Sequence, residues 1–168
     1  MSSVFVAAPK SSLQSRDQVY VAALPLRATR GPGQMLMSAA YSLNIWDLQH
    51  YMVVIRTKSP QSQVFVFDFQ PEDPENLFVA FTALSGRQVP GELTGVVQVR
   101  KLPKLPKTRC WLVGVSNADA VAQANEFNKN WKTDLRIGEH DCRNYTGELV
   151  QYLTGEPKVL EWLRSSNG

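Results

Sequence analysis

The chain has 168 residues, 43% of them apolar and 20% charged, which suits one domain with its own core and is short for a two-domain enzyme. Its 18 Lys and Arg against 15 Asp and Glu leave +3, too weak a balance for a nucleic-acid footprint, and no apolar run approaches the roughly 20 residues of a membrane-spanning helix. Cys110 and Cys142 cannot build a disulfide framework. With His50 and His140 as the only histidines, no common zinc site is available, and neither a metal nor an organic cofactor is implied. A reducing, intracellular compartment, the cytoplasm by default, is the expectation.

Residues 1–16 are rich in Ser and Ala and contain no acid. They suit a transit peptide for organelle import and equally an ordinary frayed terminus, which is preferred because the domain, placed at 17–168, begins almost at once. Val19 to Leu24 reads as a buried strand that Pro25 ends. From Gln34 to Trp46 the apolar residues recur at three and four, the spacing of a helix. A hairpin follows, His50 to Thr57 and Gln63 to Phe69, turning about Lys58-Ser59-Pro60-Gln61 and apolar on both faces as central strands are. Further strand signals lie at Leu77 to Ala83, Gly95 to Val99 and Cys110 to Val115. Between the last two, Lys101 to Lys107 (KLPKLPK) is expected to be an extended connection, since Pro103 and Pro106 donate no backbone hydrogen bond. Its usual role is a solvated loop, although Lys101, Lys104 and Lys107 at threefold spacing suit an acidic partner.

Two helices are expected next. Asn117 or Asp119 caps the first, with Ala120, Ala124, Phe127 and Trp131 on one stripe. The second opens at Asp141, aligns Cys142, Tyr145, Leu149 and either Tyr152 or Leu153, and stops at Gly155 before Pro157. Trp46, Trp111, Trp131 and Trp162 are assigned to the core, with Trp162 the nearest of them to a surface position. The fold class is α+β: an antiparallel sheet of about four to six strands with helices packed against it.

Cys142 stands in the first turn of its helix, where unpaired N–H groups and the helix dipole stabilise a thiolate. A Cys nucleophile needs a base. His140 is poorly placed, two residues before the thiol in a loop, whereas His50 heads a central strand, a rigid mount. A hairpin centred on Ser59 sets His50 opposite Asp68, whose carboxylate would fix the imidazole tautomer and stabilise its charged form. A slip of one residue would turn Asp68 to the other face. Against this stand plainer roles: Cys142 as a small buried hydrophobe, His50 as a structural histidine, Asp68 as a strand-end charge. Asp141 is a cap rather than a catalyst.

The order of a strand, a helix-containing connection, a His-headed hairpin strand and later a Cys-headed helix resembles the circularly permuted papain-like fold. Two families share it: the PPPDE peptidases, which include desumoylating and deubiquitinating isopeptidases, and the lecithin retinol acyltransferase family. The stretch from Cys142 to Gly155 (CRNYTGELVQYLTG) is similar to the PPPDE helix, and His50-Tyr-Met-Val-Val-Ile resembles the His-bearing strand of both. Asp68 falls where the acyltransferases carry a second His, and Asn144 stands near where both families commonly have a His after the nucleophile. The resemblance implies a thiol hydrolase of amide, isopeptide or ester bonds with Cys142 as nucleophile, His50 as base and Asp68 as orienting group. Its substrate would be a protein, such as a ubiquitin-like conjugate, or an acyl compound. Gln49 is near in sequence to serve the oxyanion, and the Cys142 N–H would contribute. The alternatives are acyl transfer on a lipid with the same Cys and His, and a non-catalytic binding or assembly protein on the same fold.

Overall fold

The computed structural model describes residues 16–25, 49–58, 60–72, 93–116, 118–136 and 139–166. The expected helix at Gln34 to Trp46 and strand at Leu77 to Ala83 lie outside these, as do residues 1–15. Among the described residues the architecture is α+β, with β1 (Gln18–Pro25), β2 (Gln49–Arg56), β3 (Val64–Pro71), β4 (Leu93–Leu102), β5 (Cys110–Val115) and β6 (Asp134–Leu135). These form one antiparallel sheet in the order β5-β1-β2-β3-β4-β6. Three helices accompany it: α1 (Ala120–Asn130), α2 (Cys142–Thr154) and α3 (Val159–Ser166). Neither the short β6 nor α3 is among the elements expected from sequence. None of the described helices is long and apolar enough to cross a membrane.

Strand alternation sorts the side chains into two layers. Val19, Val21, Tyr51, Val53, Ile55, Phe67 and Phe69 face the helices and share a core with Tyr145, Leu149, Val150 and Leu153 of α2, Ala120 and Ala124 of α1, and Val159 and Leu163 of α3. Of the two candidates for the last place on the α2 stripe, Leu153 is buried and Tyr152 is exposed. Of the tryptophans assigned to the core, Trp111 and Trp131 are partly buried against it, whereas Trp162, the nearest of them to a surface position, is exposed. On the other side Ala22, Met52, Val54, Val64 and Val66 form a second cluster.

The Lys101 to Lys107 stretch covers that second cluster. Lys101 and Leu102 are not loop but the end of β4, which extends past Val99 because it pairs with the whole of β3. Lys101 lies opposite Phe65 and alternates to the helical side, so the three lysines do not share one edge. Residues 103–109 then run from Leu102, level with the start of β3, to Cys110, which pairs with Ala22 of β1. They therefore cross four strand spacings of about 4.8 Å while moving back about four residues along the strands, roughly 23 Å in all. Eight Cα steps at about 3.3 Å reach roughly 26 Å, so the crossing has little slack, and its bends fall at its two ends, residues 103–104 and 107–109. Pro103 and Pro106 need no hydrogen-bond partners for a backbone N–H, and Leu102 and Leu105 pack down on the cluster.

The hairpin register differs from the expected one by two residues. Arg56 lies opposite Val64 and Val53 opposite Phe67, so the turn is centred on Pro60 rather than Ser59. Thr57 widens the turn: its N–H donates to the Gln63 carbonyl at 2.8 Å, and its hydroxyl accepts from the Gln63 N–H at 3.0 Å and donates to the Gln61 carbonyl at 3.2 Å. A shift of two leaves alternation intact, so His50 and Asp68 keep a common side. They stand diagonally rather than opposite.

Gly95 is required where β4 passes Phe69. A Cβ there would clash with Cε2 and Cζ of the Phe69 ring and stand 3.2 Å from the Leu135 Cβ. Gly95→Ala is therefore expected to destabilise the fold by about 1–3 kcal/mol, measured by urea unfolding, because the fully buried Phe69 has no room to retreat.

Candidate active site

The registered β2–β3 pairs end at Val53 and Phe67, and just beyond them the strands are joined by side chains. His50 Nε2 lies 2.8 Å from Asp68 Oδ2. The His50 side chain is 13% exposed and that of Asp68 only 1%. A carboxylate this deep needs a positive partner, and an Nε2–H donated by an imidazolium supplies both charge and hydrogen bond. Burial alone would lower the His50 pKa. Hydrogen bonding to Asp68 and to Cys142, together with the charges of both, outweighs it and pushes the pKa up to about 9. Since Asp68 occupies Nε2, the nitrogen left for the thiol is Nδ1.

Cys142 reaches His50 at the end of the sheet. The core stripe of α2 packs on the side opposite to His50, but its first residue lies against the beginning of β2, with Cys142 Sγ 4.0 Å from the Gln49 carbonyl oxygen. Asp141 is the N-cap, as expected, and accepts from the Arg143 N–H at 2.9 Å. The Asn144 carboxamide oxygen accepts from the Asp141 N–H at 3.0 Å, which completes a capping box. Asn144 is thus a helix-capping residue. The Arg143 guanidinium closes back on Asp141 at 2.9 Å.

His140 has a structural role. It stacks on Trp131, with ring centres 4.1 Å apart and planes 13° apart, and its Nε2 donates to the Lys132 carbonyl at 2.8 Å. Phe69 meets both rings edge-on, and Tyr145 joins the same cluster while its hydroxyl donates to Asn128 Oδ1 at 2.6 Å. Two backbone hydrogen bonds between Arg136 and His140 close the loop before α2. The aromatic cluster therefore fixes the segment that delivers Cys142.

Sequence reasoning missed Arg100. Its Nη2 stands 3.8 Å from Asp68 Oδ2, with half of its side chain exposed. In β4 it is two residues beyond Gln98, the residue opposite Asp68, and so shares its side of the sheet. The long connection between β3 and β4 in sequence hid this pairing. Asp68 Oδ1 is buried with no hydrogen-bond partner among the described residues, so the carboxylate leans on His50 and Arg100 for compensation.

A cleft of about 500 Å³ opens at the other end of the sheet, lined by Asp17, Gln61, Ser116 and Asp119 among others. Its carboxylates are engaged in capping α1: Asp17 accepts from the Ala120 N–H and Asp119 from the Ala122 N–H, each at 3.0 Å. It lacks a thiol and an imidazole, so the chemistry is assigned to the His50 end. Among the described residues no three His, Cys, Asp or Glu side chains gather as a metal site. Comparison of the chain with protein-family models, with curated proteins and with solved structures finds no match.

Two outcomes follow from this geometry. In Asp68→Asn the His50 pKa should fall by more than about one unit, because burial then acts with less opposition; ring-proton NMR titration of the two histidines measures it. Cys142 should also alkylate faster than Cys110 at neutral pH, since burial pushes the Cys110 thiol up; peptide mapping after iodoacetamide reads the ratio.

Proposed function

We propose that the protein is a thiol hydrolase acting on an amide, isopeptide or ester carbonyl, on a permuted papain-like fold. The observation that carries this reading is the 2.8 Å His50–Asp68 contact, with Cys142 at a helix N-terminus beside the same strand and near enough to help raise the His50 pKa. The order of the elements, with the His strand β2 ahead of the Cys helix α2, supports it.

In this reading Cys142 Sγ, its proton held on His50 Nδ1, attacks the carbonyl carbon. The oxyanion forms beside the N–H of Cys142, since the cap is engaged with later residues of the first turn. Nδ1–H then protonates the leaving nitrogen or oxygen as its bond to carbon breaks, leaving a thioester. Water attacks the thioester with His50 as base, the carbon–sulfur bond breaks, and the acid is released. Asp68 holds the ring through Nε2–H and balances the imidazolium throughout.

The test is turnover of acyl and peptidyl probes that differ in leaving group and acyl part. Cys142→Ala should abolish turnover with the fold intact, and equal turnover by both proteins would refute the assignment. Asp68→Asn is expected to lose about 10- to 10³-fold in kcat, less than the roughly 10⁴-fold known for a serine triad, because a thiol depends less on its base. An unchanged rate for Asp68→Asn with a dead His50→Ala would reduce the site to a dyad.

A further inference from the structure

From Leu93 to Ser116 the chain carries five cations, Arg100, Lys101, Lys104, Lys107 and Arg109, and no Asp or Glu. Arg100 stands on the side of the sheet away from the helices by strand alternation, and Lys104 and Lys107 are exposed residues of the crossing over the second cluster. Lys101 alternates to the helical side, and Arg109, whose carbonyl accepts from the Ala23 N–H, is exposed at the edge where the crossing enters β5. Leu102 and Leu105 turn down onto the sheet, and Lys104 and Lys107 are exposed on the same crossing. This crossing meets β5 at Cys110, opposite Ala22. On β1 and β5 the same side carries Leu24 and Leu112, 54% and 52% exposed, one on each flank of that meeting point.

We infer that this side of the sheet is a docking surface for an anionic lipid bilayer, with Lys104 and Lys107 against the headgroups and Leu24 and Leu112 entering the interface. A ridge of cations flanked by exposed leucines suits a broad, fluid, negative surface, which takes charged and apolar side chains side by side. The inference is independent of whether Cys142 is a nucleophile.

Co-sedimentation of the full chain with phosphatidylcholine vesicles, with and without a minority of phosphatidylserine, tests it. Binding should require phosphatidylserine and weaken as salt is raised. Lys104→Glu with Lys107→Glu should weaken it by roughly 25-fold or more, at about fivefold for each charge lost, with thermal melting as the check on folding. Leu112→Ser should weaken binding at every salt concentration. If charge reversal unfolds the chain, Lys104→Gln with Lys107→Gln reads the same loss in weaker form. Absence of binding to phosphatidylserine vesicles, or binding indifferent to the lysine substitutions, overturns the inference. Binding to polyglutamate without binding to vesicles overturns it in favour of an acidic protein partner.

Discussion

A carboxylate buried in the interior of a sheet strand governs the rest of the site. Asp68 is 1% exposed, and one of its oxygens has no hydrogen-bond partner among the described residues. Leaving such a charge uncompensated costs about 3–5 kcal/mol, so the surroundings have to supply positive charge. His50 does so in contact and Arg100 from slightly further away. The protonated state of His50 follows from this demand, against the tendency of burial to neutralise it. An imidazole held charged through Nε2 has only Nδ1 to offer a thiol, which sets the direction from which Cys142 has to approach.

That approach is possible only at the margin of the sheet. His50 and Asp68 belong to the side bearing the second cluster, while α2 packs its apolar stripe on the other side. A residue in the middle of α2 would be separated from His50 by the sheet itself. Cys142, as the first residue of the helix, clears the layer beside Gln49. Its position depends on the stacked rings of Trp131 and His140, on Phe69 lying across them and on the Asp141 cap. Packing on one side of the sheet thereby aims a group at chemistry on the other.

The two sides are finished by different means. Helices cover one, with long side chains interlocked. The other is crossed by a short segment with little slack, whose prolines need no hydrogen-bond partners for a backbone N–H. Because that segment is narrow, Leu24 and Leu112 stay in solvent beside its lysines. A sheet side with a nearly continuous helical cover could not present both the cations and the leucines.

The sequence by itself determined the local features, because each depends on near neighbours. The capped helix beginning at Cys142 and ending at Gly155 was legible from Asp141, a helical stripe and a glycine that adopts φ 80°. So were the central strands around His50 and Asp68, from their unbroken β-branched and aromatic runs, and the common side of the two residues, from alternation. Tertiary structure decided what long-range pairing controls. The turn hydrogen bonds of Thr57 shifted the hairpin by two residues, the pairing of β4 with β3 brought Arg100 to Asp68, and the aromatic cluster took His140 for structure. It also turned the KLPKLPK stretch from a loop into a strand end and a tight crossing, because the distance between β4 and β5 depends on three intervening strands.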